Sequence, residues 1–90
     1  MSITSISTSE SLVGGLCREL QYLQERYKSL TALINNSNDQ ILKTRFRNEI
    51  LGLIKRRNEI QNISSALKEN TNIDKLSILF LIEIGNRALI

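Results

Sequence analysis

Apolar residues recur alternately three and four residues apart along the first half of the chain. The series is Val13, Leu16, Leu20, Leu23, Tyr27, Leu30 and Ile34. This spacing places every member on one stripe of an α-helix and is typical of the a and d positions of a coiled coil. The sequence therefore predicts a first helix over about residues 9–35, with an apolar stripe that a second helix must cover.

Residues 35–39 are Asn, Ser and Asp, whose side chains compete for helical backbone hydrogen bonds and favour a turn. A second helix is predicted over about residues 39–69, capped by Ser37, Asn38 or Asp39. A short turn between two long helices predicts a long antiparallel, coiled-coil-like hairpin. Its seam positions are Leu16, Leu20, Leu23, Tyr27, Leu30, Ile34, Leu42, Phe46, Ile50, Leu53, Ile60 and Leu67.

One charged residue, Arg57, falls on the apolar stripe of the second helix. Removing a charged side chain from water at such a position costs free energy unless the charge is paired. We expect it to meet a carboxylate, Glu19 or Glu10, or to lie at a wet edge. In one interpretation, the aliphatic part of the Arg57 side chain packs on the stripe and its guanidinium reaches water. In the other, the charge specifies the register of the two helices or a partner.

The last third of the chain is more apolar than the rest. A helix over about residues 72–85 is predicted, starting with a capping-box-like Thr71 and Asp74 and stopping near Gly85. A short buried strand is the alternative, because the segment is rich in β-branched residues. Its apolar residues surround the helix, and two helices cannot wrap a third completely. We therefore expect an oligomer or partner interface made of Ile73, Leu76, Ile78, Leu79, Phe80, Leu81, Ile82 and Ile84.

The composition agrees with an all-α fold that is completed as a helical bundle by oligomerisation. Leu and Ile form 30% of the 90 residues and aromatic residues only 4%. A chain of this size has a thin stability margin unless a metal, a disulfide or another subunit contributes. The single Cys17 and the absence of His exclude a disulfide and a zinc cage. Residues 1–8 are expected to form a flexible arm before a single helical domain over residues 9–90.

A cluster of six cations lies in residues 43–57. These are Lys43, Arg45, Arg47, Lys55, Arg56 and Arg57. With Glu49 the stretch carries +5, while the remainder of the chain carries −2. The cluster is a candidate patch for an acidic partner or for nucleic acid. Helical geometry spreads the six around the axis, which favours a solvated face over a phosphate-binding stripe.

Catalysis is not expected. Without His the chain has no side chain that normally titrates near neutral pH, and nothing of that kind can activate Cys17. The run from Leu53 to Arg57, with Lys68 beyond it, resembles the first long helix of the all-helical chorismate mutases over sixteen residues. The Asp-x-x-Arg-Glu stretch and the closing Gln-bearing helix of that family are missing, so no enzyme, cofactor or metal is predicted.

The predicted function is a non-enzymatic helical protein–protein interaction module that forms a homodimer. One alternative is a small helical-hairpin chaperone or adaptor with a heterologous partner. The other is a nucleic-acid-associated regulatory binder that uses the cations of residues 43–57. The longest apolar run, residues 78–82, is far short of the roughly 20 residues that span a bilayer, so a cytoplasmic protein with no membrane span is expected.

Overall fold

The computed structural model describes residues 8–69 and 73–89, with side chains from residue 12 onward. Three helices occupy these residues: α1 is Thr8–Asn36, α2 is Gln40–Leu67 and α3 is Lys75–Arg87. No strand occurs in the described ranges. The prediction of an all-α chain is confirmed, and the alternative of a strand in residues 73–84 is wrong. Of the expected N-terminal arm, residues 1–7 lie outside the described residues and Thr8 already belongs to α1.

The start of α2 is set by Asp39. Its carboxylate accepts hydrogen bonds from the backbone N–H groups of Ile41, at 2.8 Å, and Leu42, at 3.3 Å. These are two of the donors that a helix leaves without an intrahelical partner. The backbone N–H of Asp39 itself donates to the hydroxyl of Ser37 at 3.1 Å. The turn between α1 and α2 is therefore closed by its own polar side chains.

The start of α3 differs from the prediction. Asp74 is the cap itself: its carboxylate accepts from the backbone N–H of Leu76, at 3.2 Å, and from the hydroxyl of Ser77, at 3.0 Å. The helix also continues through Gly85 to Arg87. Gly85 does not stop the helix, since its φ is not positive and it lies buried within α3.

Two ion pairs join α1 to α2. Arg26 donates to Glu49 at 2.6 and 3.0 Å, and Arg56 donates to Glu19 at 2.5 and 2.9 Å. A step of seven residues back along α1, from Arg26 to Glu19, is matched by a step of seven forward along α2, from Glu49 to Arg56. The contacts of the two helices are therefore in antiparallel order.

All three helices contribute to one apolar core. Among the described residues, the buried hydrophobic side chains are Val13, Leu16, Leu20, Leu23, Leu30, Leu53, Ile60, Ile73, Ile78, Leu81 and Ala88. Of the predicted seam positions, Tyr27, Phe46, Ile50 and Leu67 are partly buried against this core. Ile34 is half-buried near the turn, and Leu42 is 40% exposed. The two seam positions nearest the turn, Ile34 and Leu42, are thus less buried than Leu20, Leu30 and Ile60, which are fully buried.

Candidate docking surface

The outer face of α3 carries a group of large apolar side chains that the described chain leaves in water. Leu76 is 75% exposed, Leu79 50% and Phe80 63%. These positions are three and four residues apart and therefore lie side by side on one face of the helix. The same face continues into Glu83 and Arg87, which form an ion pair at 2.8 Å. On the exposed face of α3, the apolar group is thus followed by an ion pair near the end of the helix.

The opposite face of α3 is covered by the chain's own long helices. Ile78 and Leu81 are fully buried, Gly85 is buried, and Ile73 just before the helix is 6% exposed. Ile82 and Ile84 are partly buried at the sides. α1 and α2 therefore cover one face of this segment and leave its other face exposed. Of the eight residues expected at an interface, Leu76, Leu79 and Phe80 are the exposed ones.

Polar side chains of α2 hold the end of α3 in place. The guanidinium of Arg57 donates to the backbone oxygens of Gly85, at 3.2 Å, and Ala88, at 3.4 Å. A cation is favourable there, because the last carbonyls of a helix lack intrahelical partners and carry partial negative charge. The expected carboxylate partner of Arg57 is not found among the described side chains. Its neighbour Arg56 forms an ion pair with Glu19 instead.

Gln61 lies one turn after Arg57 on α2 and contacts the same region of α3. Its amide Nε2 donates to the backbone oxygen of Ile82, at 3.1 Å, and to the side-chain oxygen of Asn86, at 2.9 Å. The amide lies directly over Gly85, where a Cβ atom would collide with it. A side chain at position 85 therefore requires the amide of Gln61 to move away from its hydrogen-bond partners.

The chain after α3 turns back onto α1. Leu89 has a φ of 65°, which is rare for a residue with a side chain, and its backbone N–H donates to Oε1 of Gln24. Ala88 is only 3% exposed. Residue periodicity could not reveal this contact or those of Arg57 and Gln61, because polar residues on helix surfaces are ordinarily solvated.

The cations of residues 43–57 do not form one surface. Arg56 is paired with Glu19 and, at 3.2 Å, with Glu59, and these hydrogen bonds raise its pKa. The guanidinium of Arg57 donates a hydrogen bond to a backbone oxygen of α3. The others are placed as follows: Arg45, Arg47 and Lys55 are exposed and Lys43 is half-buried, with no ion pair to another described residue. The patch predicted for an acidic partner or nucleic acid loses two of its six members.

Cys17 is the single thiol of the chain. Burial raises the pKa of the half-buried Cys17 thiol, and the positive charge of Arg18 opposes this shift. A raised pKa disfavours the reactive thiolate. The described residues contain no group of three or more His, Cys, Asp or Glu side chains that could hold a metal ion. None of the helices in the described ranges has the length and apolar character needed to cross a membrane.

Comparisons with protein-family models, with curated proteins and with solved structures give no significant match.

Proposed function

We propose that this protein is a non-enzymatic helical interaction module that works as a homodimer, and that the exposed face of α3 is its docking surface. The observation that carries the proposal is the group Leu76, Leu79 and Phe80, which are contiguous, large and at least half exposed. Contiguous apolar groups of this kind, bordered by charged residues, are typical of protein–protein contact sites. α1 and α2 supply the coiled-coil-like hairpin that supports the face.

A second copy is the occupant that we infer. A small helical domain gains stability when a neighbouring subunit covers its remaining apolar surface, and two-fold dimers are the commonest closed assembly. The face carries both signs of charge, with Lys75 at its beginning and Glu83 near its end. It can therefore complement itself. A heterologous partner, as for an adaptor or chaperone, is the alternative outcome of the test.

Nucleic acid is a weaker candidate partner. Arg56 and Arg57, which sequence reasoning assigned to a basic patch, are engaged within the chain. Exposed aromatic side chains that would stack on bases do not accompany the remaining cations, since Phe46 on the same helix is partly buried against the core.

The mass of the purified chain in solution tests the proposal. Light scattering over a concentration series should give twice the chain mass, and Leu76→Glu should shift the protein to a monomer. The matched control is Leu51→Glu, which changes a leucine of α2 that is 64% exposed. It should leave the dimer intact, with helicity checked by circular dichroism. A chain that is monomeric and non-aggregating at all concentrations would contradict the homodimer.

A further inference from the structure

The side of α2 that faces away from the core carries two large apolar side chains in water. Leu51 and Lys55 are each two residues from the buried Leu53, which places them on the opposite side of the helix. Leu51 is 64% exposed, and Ile41, ten residues before it, is 68% exposed. The outer side of α2 comprises Ile41, Arg45, Arg47, Leu51, Gly52 and Lys55, all of them exposed.

The outer side of α2 is also positively charged. α2 carries six basic and two acidic residues, a net charge of +4, whereas α1 carries three of each. Both acidic residues of α2 already form ion pairs with arginines of the chain. Arg45, Arg47 and Lys55 form no ion pair with any other described residue. Lys55 lies in the middle of the outer side, with Arg45 and Arg47 about 80° to either side of it around the helix.

Gly52 lies next to Leu51 in the interior of this long helix. A Cβ atom at position 52 would have nothing within 4 Å, so no contact with a described residue requires glycine there. Glycine makes a helix interior less stable than alanine does. What glycine offers instead is bare backbone, which another helix can approach closely. The outer side of α2 therefore has a place of close approach beside an exposed leucine.

We infer that the outer side of α2 binds an acidic amphipathic helix of another protein. The apolar residues of that helix pack on Ile41 and Leu51, its carboxylates pair with the three cations, and its backbone comes closest to α2 at Gly52. Apolar side chains between the cations favour a protein over nucleic acid, because a phosphate backbone offers them no apolar contact. Complementary charge then sets the choice of partner.

The charges of the chain itself make the partner a different protein. The net charges of the three described helices are 0 for α1, +4 for α2 and +1 for α3. A second copy therefore has no acidic helix to offer to the outer side of α2. This contact uses α2 and not the exposed face of α3, so it goes beyond the proposed homodimer and stands whether or not the chain dimerises.

A synthetic helical peptide tests the contact. The probe carries a row of leucines flanked on both sides by glutamates, and the control peptide has lysine in place of every glutamate. Fluorescence anisotropy of each labelled peptide with the full chain gives a dissociation constant. The acidic peptide should bind at low salt and weaken as salt is added, since salt screens exposed charges. The lysine peptide should not bind. If the acidic peptide fails to bind at low salt, the inference is wrong.

Charge reversal tests the place of binding. Arg45→Glu combined with Arg47→Glu should weaken binding of the acidic peptide about tenfold or more. The matched control is Lys28→Glu combined with Lys68→Glu, which makes the same change of net charge at exposed positions away from the outer side of α2. It should weaken binding much less. Equal weakening would show that affinity follows net charge alone and would overturn the inference.

Gly52→Gln separates binding from folding. Glutamine should raise the melting temperature, because it is a better helix former than glycine, and should still weaken binding by covering the bare backbone. Leu51→Asn should weaken binding as well, whereas Leu12→Asn, which changes a leucine 43% exposed on α1, should not. Circular dichroism must show unchanged helicity for these variants. Full affinity in Gly52→Gln or Leu51→Asn would contradict the inference, as would a DNA duplex that binds more tightly than the acidic peptide.

Discussion

The guanidinium of Arg57 lies 3.2 Å from the backbone oxygen of Gly85, where it caps the end of a helix that is not its own. Arg57 sits at an apolar-stripe position of α2, flanked one turn away on each side by the buried Leu53 and Ile60. The side chain therefore crosses from the core to the end of α3. α3 in turn carries the exposed Leu76, Leu79 and Phe80, so Arg57 helps to fix the orientation of that face.

Arg57→Met should loosen α3 while leaving α1 and α2 helical. Methionine keeps the length of the apolar stem but donates no hydrogen bond to Gly85 or Ala88. Hydrogen bonds from charged groups contribute about 1.5–3 kcal/mol each, and the partial exposure of this site lowers that figure. We expect the free energy of unfolding in urea to fall by about 1–2 kcal/mol.

Arg45→Met on the exposed part of α2 is the matched control and should change the free energy of unfolding by less than about 0.5 kcal/mol. Hydrogen exchange adds a local readout, because the amides of α3 should lose protection first. Equal stability of the two variants would mean that Arg57 does not hold α3.

Much of the helical layout could be predicted from the sequence, since it depends on local signals. The heptad spacing from Leu16 to Ile34 and the polar turn before Asp39 both act within a few residues, and α1 and α2 lie within one or two residues of their predicted bounds. The partner of Arg57 depends on how α3 folds back on α2. No local pattern determines how far Arg57 lies from α3. Of the two carboxylates expected for Arg57, Glu19 pairs with Arg56 instead, and the side chain of Glu10 lies outside the described residues.

Gly85→Ala and Gly52→Ala should have different effects on stability, although both glycines lie inside helices. Nothing lies within 4 Å of a Cβ at Gly52, so alanine there should stabilise the protein by up to about 1 kcal/mol. A Cβ at Gly85 collides with the amide of Gln61, which must then give up its hydrogen bonds to Ile82 and Asn86. Gly85→Ala should therefore cost about 1 kcal/mol relative to Gly52→Ala.

A double-mutant cycle with Gln61→Ala separates this collision from other effects of Gly85→Ala. Once the amide is gone, alanine at position 85 should be neutral or stabilising, because only its better helix propensity remains. Thermal and urea unfolding of the four proteins give the coupling. Additive effects of the two substitutions would show that the two side chains do not compete for the space.

Acid should weaken the contacts between α1 and α2. Hydrogen bonds from Arg56 lower the pKa of Glu19, and those from Arg26 lower the pKa of Glu49. The folded chain thus binds these protons less readily than the unfolded chain, whose glutamates titrate near pH 4.3. The stabilisation is complete above that pH and is lost as the pH falls through the lowered pKa values.

The melting temperature should therefore fall between about pH 5 and pH 3. The decrease should be smaller in the double variant Glu19→Gln with Glu49→Gln, which has no charge to lose at these positions. Glu25→Gln with Glu69→Gln, at exposed positions outside the two ion pairs, is the control. All four ion-pair side chains are roughly 35–40% exposed, so 1 M salt should reduce the difference. A pH profile that is identical in both double variants would contradict a role for these pairs.

Leu33 and Leu42 lie where a third ion pair would fall if the seven-residue spacing of the two ion pairs continued toward the turn. Seven residues after Arg26 on α1 comes Leu33, and seven residues before Glu49 on α2 comes Leu42; their exposures are 44% and 40%. In both helices the sign of the charge alternates along this series, from Glu19 to Arg26 and from Arg56 to Glu49. To continue this alternation of charge, a third ion pair would need Glu at position 33 and Arg at position 42.

Leu33→Glu combined with Leu42→Arg should keep the melting temperature within a few degrees of the original, because both leucines are exposed and an ion pair contributes up to about 1 kcal/mol in their place. Leu33→Glu combined with Leu42→Glu removes the same two leucines but sets like charges against each other, so it should melt lower. The gap between the two variants should narrow in 1 M salt, since screening acts on the charges alone. Equal melting temperatures at low salt would mean that α1 and α2 separate before residues 33 and 42, and that the antiparallel register set by Arg26 and Glu49 ends short of the turn.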